Sequence, residues 1–218
     1  MLALPDQPVL DKIRLIGGCS RLDLNIEAPR LQDEVARLPE SFWGQSGGRV
    51  GVHNPAQAIF LRGHAPAQGN LPIDEREALA HLPAVRELIE RIVPAQPMRC
   101  LIAMLPPGAV IAPHIDQADY FSKTIRLHVP IVTSDAVWMY CNGQSYRMRT
   151  GEIWALNNSS THGVINDDDK CERIHLICDF LASAELEALL LSGQRDLGER
   201  NFAIESRLFA ARGKARLA

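Results

Sequence analysis

From Arg99 to Phe180 the chain is a succession of short apolar segments separated by turn residues. This pattern limits the fold more than any other feature. The segments are RCLIAML, VIAPHID, KTIRLHVPIV, DAVWMYC, QSYRMR, EIWAL and RIHLICDF. None carries the period of an amphipathic helix, and each has the length and the β-branched or aromatic content of a strand. Pro106, Pro107 and Gly108 end the first segment. Asn142-Gly143 joins two others, and that dipeptide favours the tight two-residue hairpin turn. Many short strands at close spacing predict an antiparallel barrel or jelly roll. The fold class is therefore mainly β with flanking helices, an α+β chain built round one barrel.

The flanks read differently. Residues 28–39 place Leu31, Val35 and Leu38 on one helical face, with Pro29 near the start. Residues 83–93 place Val85, Leu88, Ile89 and Ile92 on one face between Pro83 and Pro94. Arg49 to His53 and Ala58 to Arg62 read as short strands, and 64–72, rich in Pro and Gly, as a surface loop or lid. Ser183 to Leu191 returns to helix, and the closing ESRLFAARGKARLA reads as a solvated helix or frayed terminus. At 218 residues the chain suits one domain. Residues 1–96 form a helical and strand portion packed on the barrel, 97–182 the barrel core, and 183–218 the C-terminal helix and tail. A net charge of −3 argues against nucleic acid as partner, since phosphate neutralisation needs clustered positive charge. No apolar run has membrane-spanning length. Asp6 and Asp11 interrupt any signal-peptide pattern. Five cysteines without a CxxC spacing read as buried, reduced thiols, and the expected compartment is the cytoplasm.

Four signals could carry chemistry. In a strand, residues two apart share a face, so His114 and Asp116 would project together into the barrel. His162 follows the strand EIWAL and the polar run NNSST, and a barrel can bring it beside His114. Two imidazoles and one carboxylate on one face of a metal leave coordination positions open, the arrangement of non-haem Fe(II) oxygenases. Arg173 lies amid apolar residues, where an unpaired guanidinium is costly. Either an anionic ligand or a structural partner such as Glu152 or an Asp of the NDDD turn would satisfy it. Arg126 and His128 share one strand face, opposite Ile125, Leu127, Val129 and Ile131, so further basic groups would surround the metal.

The combination Pro107-Gly108…Ile111-x-Pro113-His114-x-Asp116, Arg126-Leu127-His128-x-Pro130, His162-x-Val164-x-Asn166 and Arg173-x-x-Leu176 resembles the aspartyl/asparaginyl β-hydroxylase family. This is a branch of the Fe(II)- and 2-oxoglutarate-dependent dioxygenases, similar also to bacterial proline and amino-acid hydroxylases. The resemblance spans roughly 97–182. It implies a double-stranded β-helix, or cupin-like barrel. It implies iron held by His114, Asp116 and His162, and Arg173 pairing with the far carboxylate of 2-oxoglutarate. Arg126 and His128 are expected at the co-substrate's other carboxylate or around the iron ligands. The implied reaction consumes O2 and 2-oxoglutarate, releases succinate and CO2, and hydroxylates an amino acid or an Asp, Asn or Pro residue in a peptide.

Two other readings compete. One is a metal-dependent cupin enzyme without 2-oxoglutarate, in which Arg173 would point away from the metal. The other is a non-catalytic barrel that binds a small anion. Trp138, Tyr140 and Trp154 are expected in the barrel core and His175 in a structural role. Tyr120 and Arg62 are weaker candidates for the substrate entrance. His53, His64 and His81 read as surface or loop residues. An exposed strand edge or the C-terminal helix would suit a dimer, though nothing in the sequence demands one.

Overall fold

A computed structural model describes residues 7–45, 52–65 and 72–215. The apolar segments become strands, numbered in chain order. They are β1 (Cys19–Leu22), β2 (Gly44–Gln45), β3 (Gln57–Arg62), β4 (Pro97–Leu105), β5 (Val110–His114), β6 (Thr124–Val132), β7 (Val137–Cys141), β8 (Gln144–Tyr146), β9 (Ile153–Leu156), β10 (His162–Asn166) and β11 (Arg173–Leu181). A seven-stranded sheet runs β1-β9-β6-β11-β4-β3-β2 and faces a four-stranded sheet, β5-β10-β7-β8. Every pairing is antiparallel. Two such sheets, with strands alternating between them, make the double-stranded β-helix expected from the motifs.

Strand alternation divides β6 and β11 into two chemistries. Ile125, Leu127, Val129 and Ile131 lie in the main core with Leu176, Cys178 and Phe180. Helices α2 (Ala28–Ala36) and α3 (Pro83–Glu87) cover that outer face through Leu31, Val35 and Val85. Each such burial stabilises by roughly 1.5–3 kcal/mol. The intervening residues, Arg126 and His128 on β6 and Arg173 and Ile177 on β11, line a cavity between the sheets. One face of each strand thus builds the core, and the other builds a polar interior.

Local sequence explains the turns. Asn142 and Gly143 take φ of 50° and 81°, which forms the two-residue turn between β7 and β8. Pro29 and Pro83 sit in the first turns of α2 and α3, where a missing N–H costs nothing. Buried Glu34 accepts from the N–H of Ala84, 2.9 Å from each oxygen, at the start of α3. After α3 the helix widens into a π turn, Leu88–Ile92, before Pro94. Ser183 caps α5 (Ala184–Ser192) by accepting from Leu186 N at 3.0 Å.

Several expectations change. Residues 49–51 and 66–71 lie outside the described residues, and Val52 and His53 occupy a turn rather than a strand. Three strands before residue 97 join the large sheet, including β1, which pairs with β9. A short helix, α4 (Asp119–Ser122), interrupts the barrel region. The tail is not simply solvated. In α6 (Phe202–Ala215), Ile204 and Leu208 are buried against Trp138, Tyr140 and Ile165, closing the outer face of the small sheet. No helix among the described residues is long and apolar enough to cross a membrane.

The Glu34 contact yields a measurable expectation. Glu34→Ala leaves the first N–H groups of α3 without their buried acceptor and should cost about 1–2 kcal/mol. Urea denaturation reads this as a lower midpoint at unchanged slope. An unchanged midpoint would mean that Glu34 caps nothing of consequence.

Candidate metal centre and active site

The centre forms where β10 meets β5. His162 is the cross-strand partner of His114, and Asp116 follows β5 directly. One ligand atom from each of the three lies within 4.8 Å of those of the other two. Gly163 makes the close approach possible. A Cβ there would stand 2.9 Å from Ile111 O and 3.2 Å from Pro113 N, so a side chain would push the two histidine-bearing strands apart.

Each imidazole is oriented by its own backbone neighbourhood. His114 Nδ1 lies 2.9 Å from Ala112 O, and His162 Nδ1 lies 3.0 Å from Ser160 O. A carbonyl accepts only, so Nδ1 carries the proton and Nε2 keeps its lone pair for a metal. Asp116 is oriented likewise. Its Oδ2 accepts from Arg126 Nη1 at 2.7 Å and Asn158 Nδ2 at 3.0 Å. Its Oδ1 lies 3.7 Å from His114 Nε2. Two imidazole nitrogens and one carboxylate oxygen are donors that suit Fe(II), and this set fits it.

Behind the triad stands a chain of buried charge. Arg126 donates Nε to Asp179 Oδ1 at 2.8 Å and Nη2 to Asp179 Oδ2 at 3.0 Å. Burial alone would lower the Arg126 pKa, but Asp179 and Asp116 outweigh it and raise it. Burial would likewise raise that of Asp116, but the Arg126 charge, foremost, pulls it well below the carboxylate range. Lys12 buttresses the far side by donating to Asn158 Oδ1 and Phe121 O, each at 2.6 Å. Burial brings its amine down to about 8.

The triad opens on a cavity of about 280 Å³ lined also by His53, Arg99, Phe121, Arg126, His128 and Arg173. Arg173 is 2% exposed. Its Nη2 lies 2.8 Å from His175 Nδ1, its Nε has no hydrogen-bond partner, and burial lowers its pKa to about 9. No carboxylate among the described residues pairs with it. Glu152 instead pairs with Arg21 and Asp167 with Arg207. His128 is buried in the same cavity with neither ring nitrogen hydrogen-bonded. His175 stands 5.8 Å from it, ring centroid to centroid.

Other residues find plainer places. Trp138, Tyr140 and Trp154 are buried in apolar clusters and do not line the cavity. Tyr120 accepts from Arg99 N, and Arg62 pairs with Glu75. His64 contacts Arg76, and His81 stacks against Phe42. His53 departs from its surface reading, since its ring packs edge-on against His114 at 4.7 Å and lines the cavity. Asn158, Asp179, Lys12 and His53 are the site residues that sequence reasoning missed. Only Asp179 had left a signal, because it shares strand parity with Arg173.

Three outcomes follow from this geometry. Anaerobic Fe(II) at about a hundred times its Kd should stabilise the protein by about 2.7 kcal/mol, and His162→Ala should abolish that gain in a melting experiment. Gly163→Ala should weaken Fe(II) binding about tenfold or more, read by calorimetry; wild-type affinity would show that the close approach is not needed. Burial holds His128, His162 and His175 neutral, His162 down to about 3. The unfolded chain takes up those protons below about pH 6.5. The chelator-treated protein should therefore lose stability as pH falls from about 6.5, by up to about 1.4 kcal/mol per pH unit for each ring. Urea midpoints that stay flat from pH 7 to pH 5 (about the window set by these shifts) would contradict this.

The fold matches a Trichoplax adhaerens prolyl hydroxylase solved with a hypoxia-inducible-factor peptide, at TM-score 0.50 and 13% identity over 83% of this chain and 90% of that one. A Pseudomonas putida prolyl-4-hydroxylase is also similar, at TM-score 0.49 and 18% identity over 81% and 98% of the two chains. Residues 58–183, more than half of the sequence, match the family model described as aspartyl/asparaginyl beta-hydroxylase. That match begins at β3, well before the motif region, and ends just past β11. The chain belongs to the aspartyl/asparaginyl β-hydroxylase family and is a hydroxylase of the Fe(II)- and 2-oxoglutarate-dependent class, with O2 as oxidant.

Proposed function

We propose that the protein hydroxylates an unactivated C–H bond of an amino acid, or of an Asp, Asn or Pro residue in a peptide, with His114, Asp116 and His162 as its iron ligands. The observation that carries the reading is the shared cavity. Three metal-competent groups and the buried guanidinium of Arg173, which has no carboxylate partner among the described residues, open on the same space. Fe(II) with 2-oxoglutarate and O2 supplies the oxidising power that converts C–H to C–OH, the co-substrate leaving as succinate and CO2.

The chain's own residues bind, orient and exclude water. Arg173 offers a planar fork to the far carboxylate of the co-substrate, and His175 Nδ1 braces that fork. His128, neutral and lining the same cavity, is suited to donate one hydrogen bond to the co-substrate. Arg126 has both ends engaged by Asp179 and Asp116, which supports a positioning role for it over direct co-substrate binding. Leu101, Leu105, Met139, Leu156 and Val164 supply apolar wall, and a dry wall strengthens every charged contact within it. Because Arg173 and the triad line one cavity, the cupin reading without 2-oxoglutarate is the weaker one. Five free cysteines, four of them buried, support a reducing setting such as the cytoplasm.

The test measures co-substrate binding and turnover together. The wild type with Fe(II) should bind 2-oxoglutarate and release succinate. Arg173→Met should lose about 10- to 100-fold in 2-oxoglutarate affinity, the worth of a charge-assisted hydrogen bond, while still binding Fe(II). No binding by the wild type, or equal binding by the variant, would overturn the assignment.

A further inference from the structure

Beside Arg126 and Arg173 the cavity holds a third guanidinium, which neither the metal ligands nor the co-substrate site employs. Arg99 projects from β4 with the same parity as Leu101, Ala103 and Leu105, all of which line the cavity. Its stem passes beneath Gly63, where a Cβ would stand 3.3 Å from Arg99 Cγ. Its guanidinium carbon lies 5.5 Å from the Phe121 ring centre and 5.8 Å from that of Tyr120. Its side chain is 12% exposed, and its Nε is enclosed without a hydrogen bond. The guanidinium donates no hydrogen bond to any described residue. Asp179 Oδ2 lies 3.8 Å away, but that carboxylate already receives two hydrogen bonds from Arg126.

Charge balance points the same way. Fe(II) and Arg173 together offset Asp116 and the two carboxylates of 2-oxoglutarate. Arg126 offsets Asp179. Burial holds the imidazoles of His128 and His175 neutral. With the site fully loaded, the one carboxylate paired with Arg99 among the described residues is Asp179, which it shares with Arg126, so positive charge stays in excess, and Lys12 behind Asn158 adds to it. A buried guanidinium without a hydrogen-bonded partner is costly, and its fork suits a carboxylate held two-pronged.

We propose that Arg99 anchors a carboxylate of the substrate, so the substrate is an amino acid or peptide whose recognised group is a free carboxylate. This deepens the hydroxylase reading and rests on it. The carboxylate has two sources, the α-carboxylate of a free amino acid or chain end and an acidic side chain. Phe60, Phe121 and Ile177, which line the cavity with Arg99, supply apolar wall for the rest of the molecule.

The test is anaerobic calorimetry on the full chain loaded with Fe(II) and 2-oxoglutarate. The probes are free L-proline, L-aspartate and L-asparagine, their α-carboxamides, and C-terminally amidated peptides with one internal aspartate. At least one carboxylate probe should bind, with its matched amide weaker by about tenfold or more. Arg99→Gln should erase that difference and Arg99→Lys restore part of it, while 2-oxoglutarate affinity stays within about twofold. Response to the free amino acids or to the internal aspartate identifies the source. The proposal is overturned if no carboxylate probe binds, if amidation or Arg99→Gln makes no difference, or if Arg99→Gln instead abolishes 2-oxoglutarate binding. Failure of the wild type to bind 2-oxoglutarate at all would instead sink the hydroxylase reading itself.

Discussion

The ion-paired chain Asp116–Arg126–Asp179 is the constraint on which the site depends. A carboxylate proposed to hold a metal inside a barrel faces two demands. It must stay ionised where burial favours the neutral acid, and it must present one oxygen in a fixed direction. Arg126 meets both, with Asn158, by occupying Oδ2 and leaving Oδ1 towards the histidines. Arg126 is itself buried and needs a partner of its own, which Asp179 supplies through two hydrogen bonds. Replacing such a network by apolar residues often costs little stability. Its value here lies in holding one carboxylate oxygen in position.

The barrel makes this chain possible because adjacent antiparallel strands place its members opposite one another. Asp179 on β11 is the cross-strand partner of Arg126 on β6. His162 on β10 is the partner of His114 on β5. The large sheet therefore carries the guanidiniums and their counter-ion, the small sheet carries the imidazoles of His114 and His162, and Asp116 connects the two. The same alternation that sends Ile125, Leu127 and Val129 outward under the helices turns Arg126 and His128 inward.

Much of this was legible before any coordinates. The strand-rich region, the Asn142-Gly143 turn and the inward parity of Arg126, His128 and Arg173 are local properties, and local periodicity reports them. His114, Asp116 and His162 carry spacing and residue type that few other chemistries need. The missed residues share a different character. His53 reaches His114 from a turn, and Lys12 reaches Asn158 from an N-terminal helix, α1 (Lys12–Leu15). Neither contact leaves a periodic trace, because it depends on how distant segments pack. The burial of the tail leaves little trace in the sequence for a similar reason. Ile204 and Leu208 make only a thin apolar stripe, and the stripe gains meaning when the small sheet offers Trp138 and Tyr140 to cover it.

The most direct measurement is Fe(II) affinity of the Asp179→Asn variant, by anaerobic titration beside the wild type. Asparagine keeps the shape of the side chain but removes the charge that secures Arg126, two contacts away from the metal. The expected result is a folded protein with unchanged circular dichroism whose Fe(II) affinity falls by about 10- to 100-fold, the usual cost of losing an outer-shell partner. A folded variant that binds Fe(II) as tightly as the wild type would contradict the claim that this buried ion pair positions the ligand set.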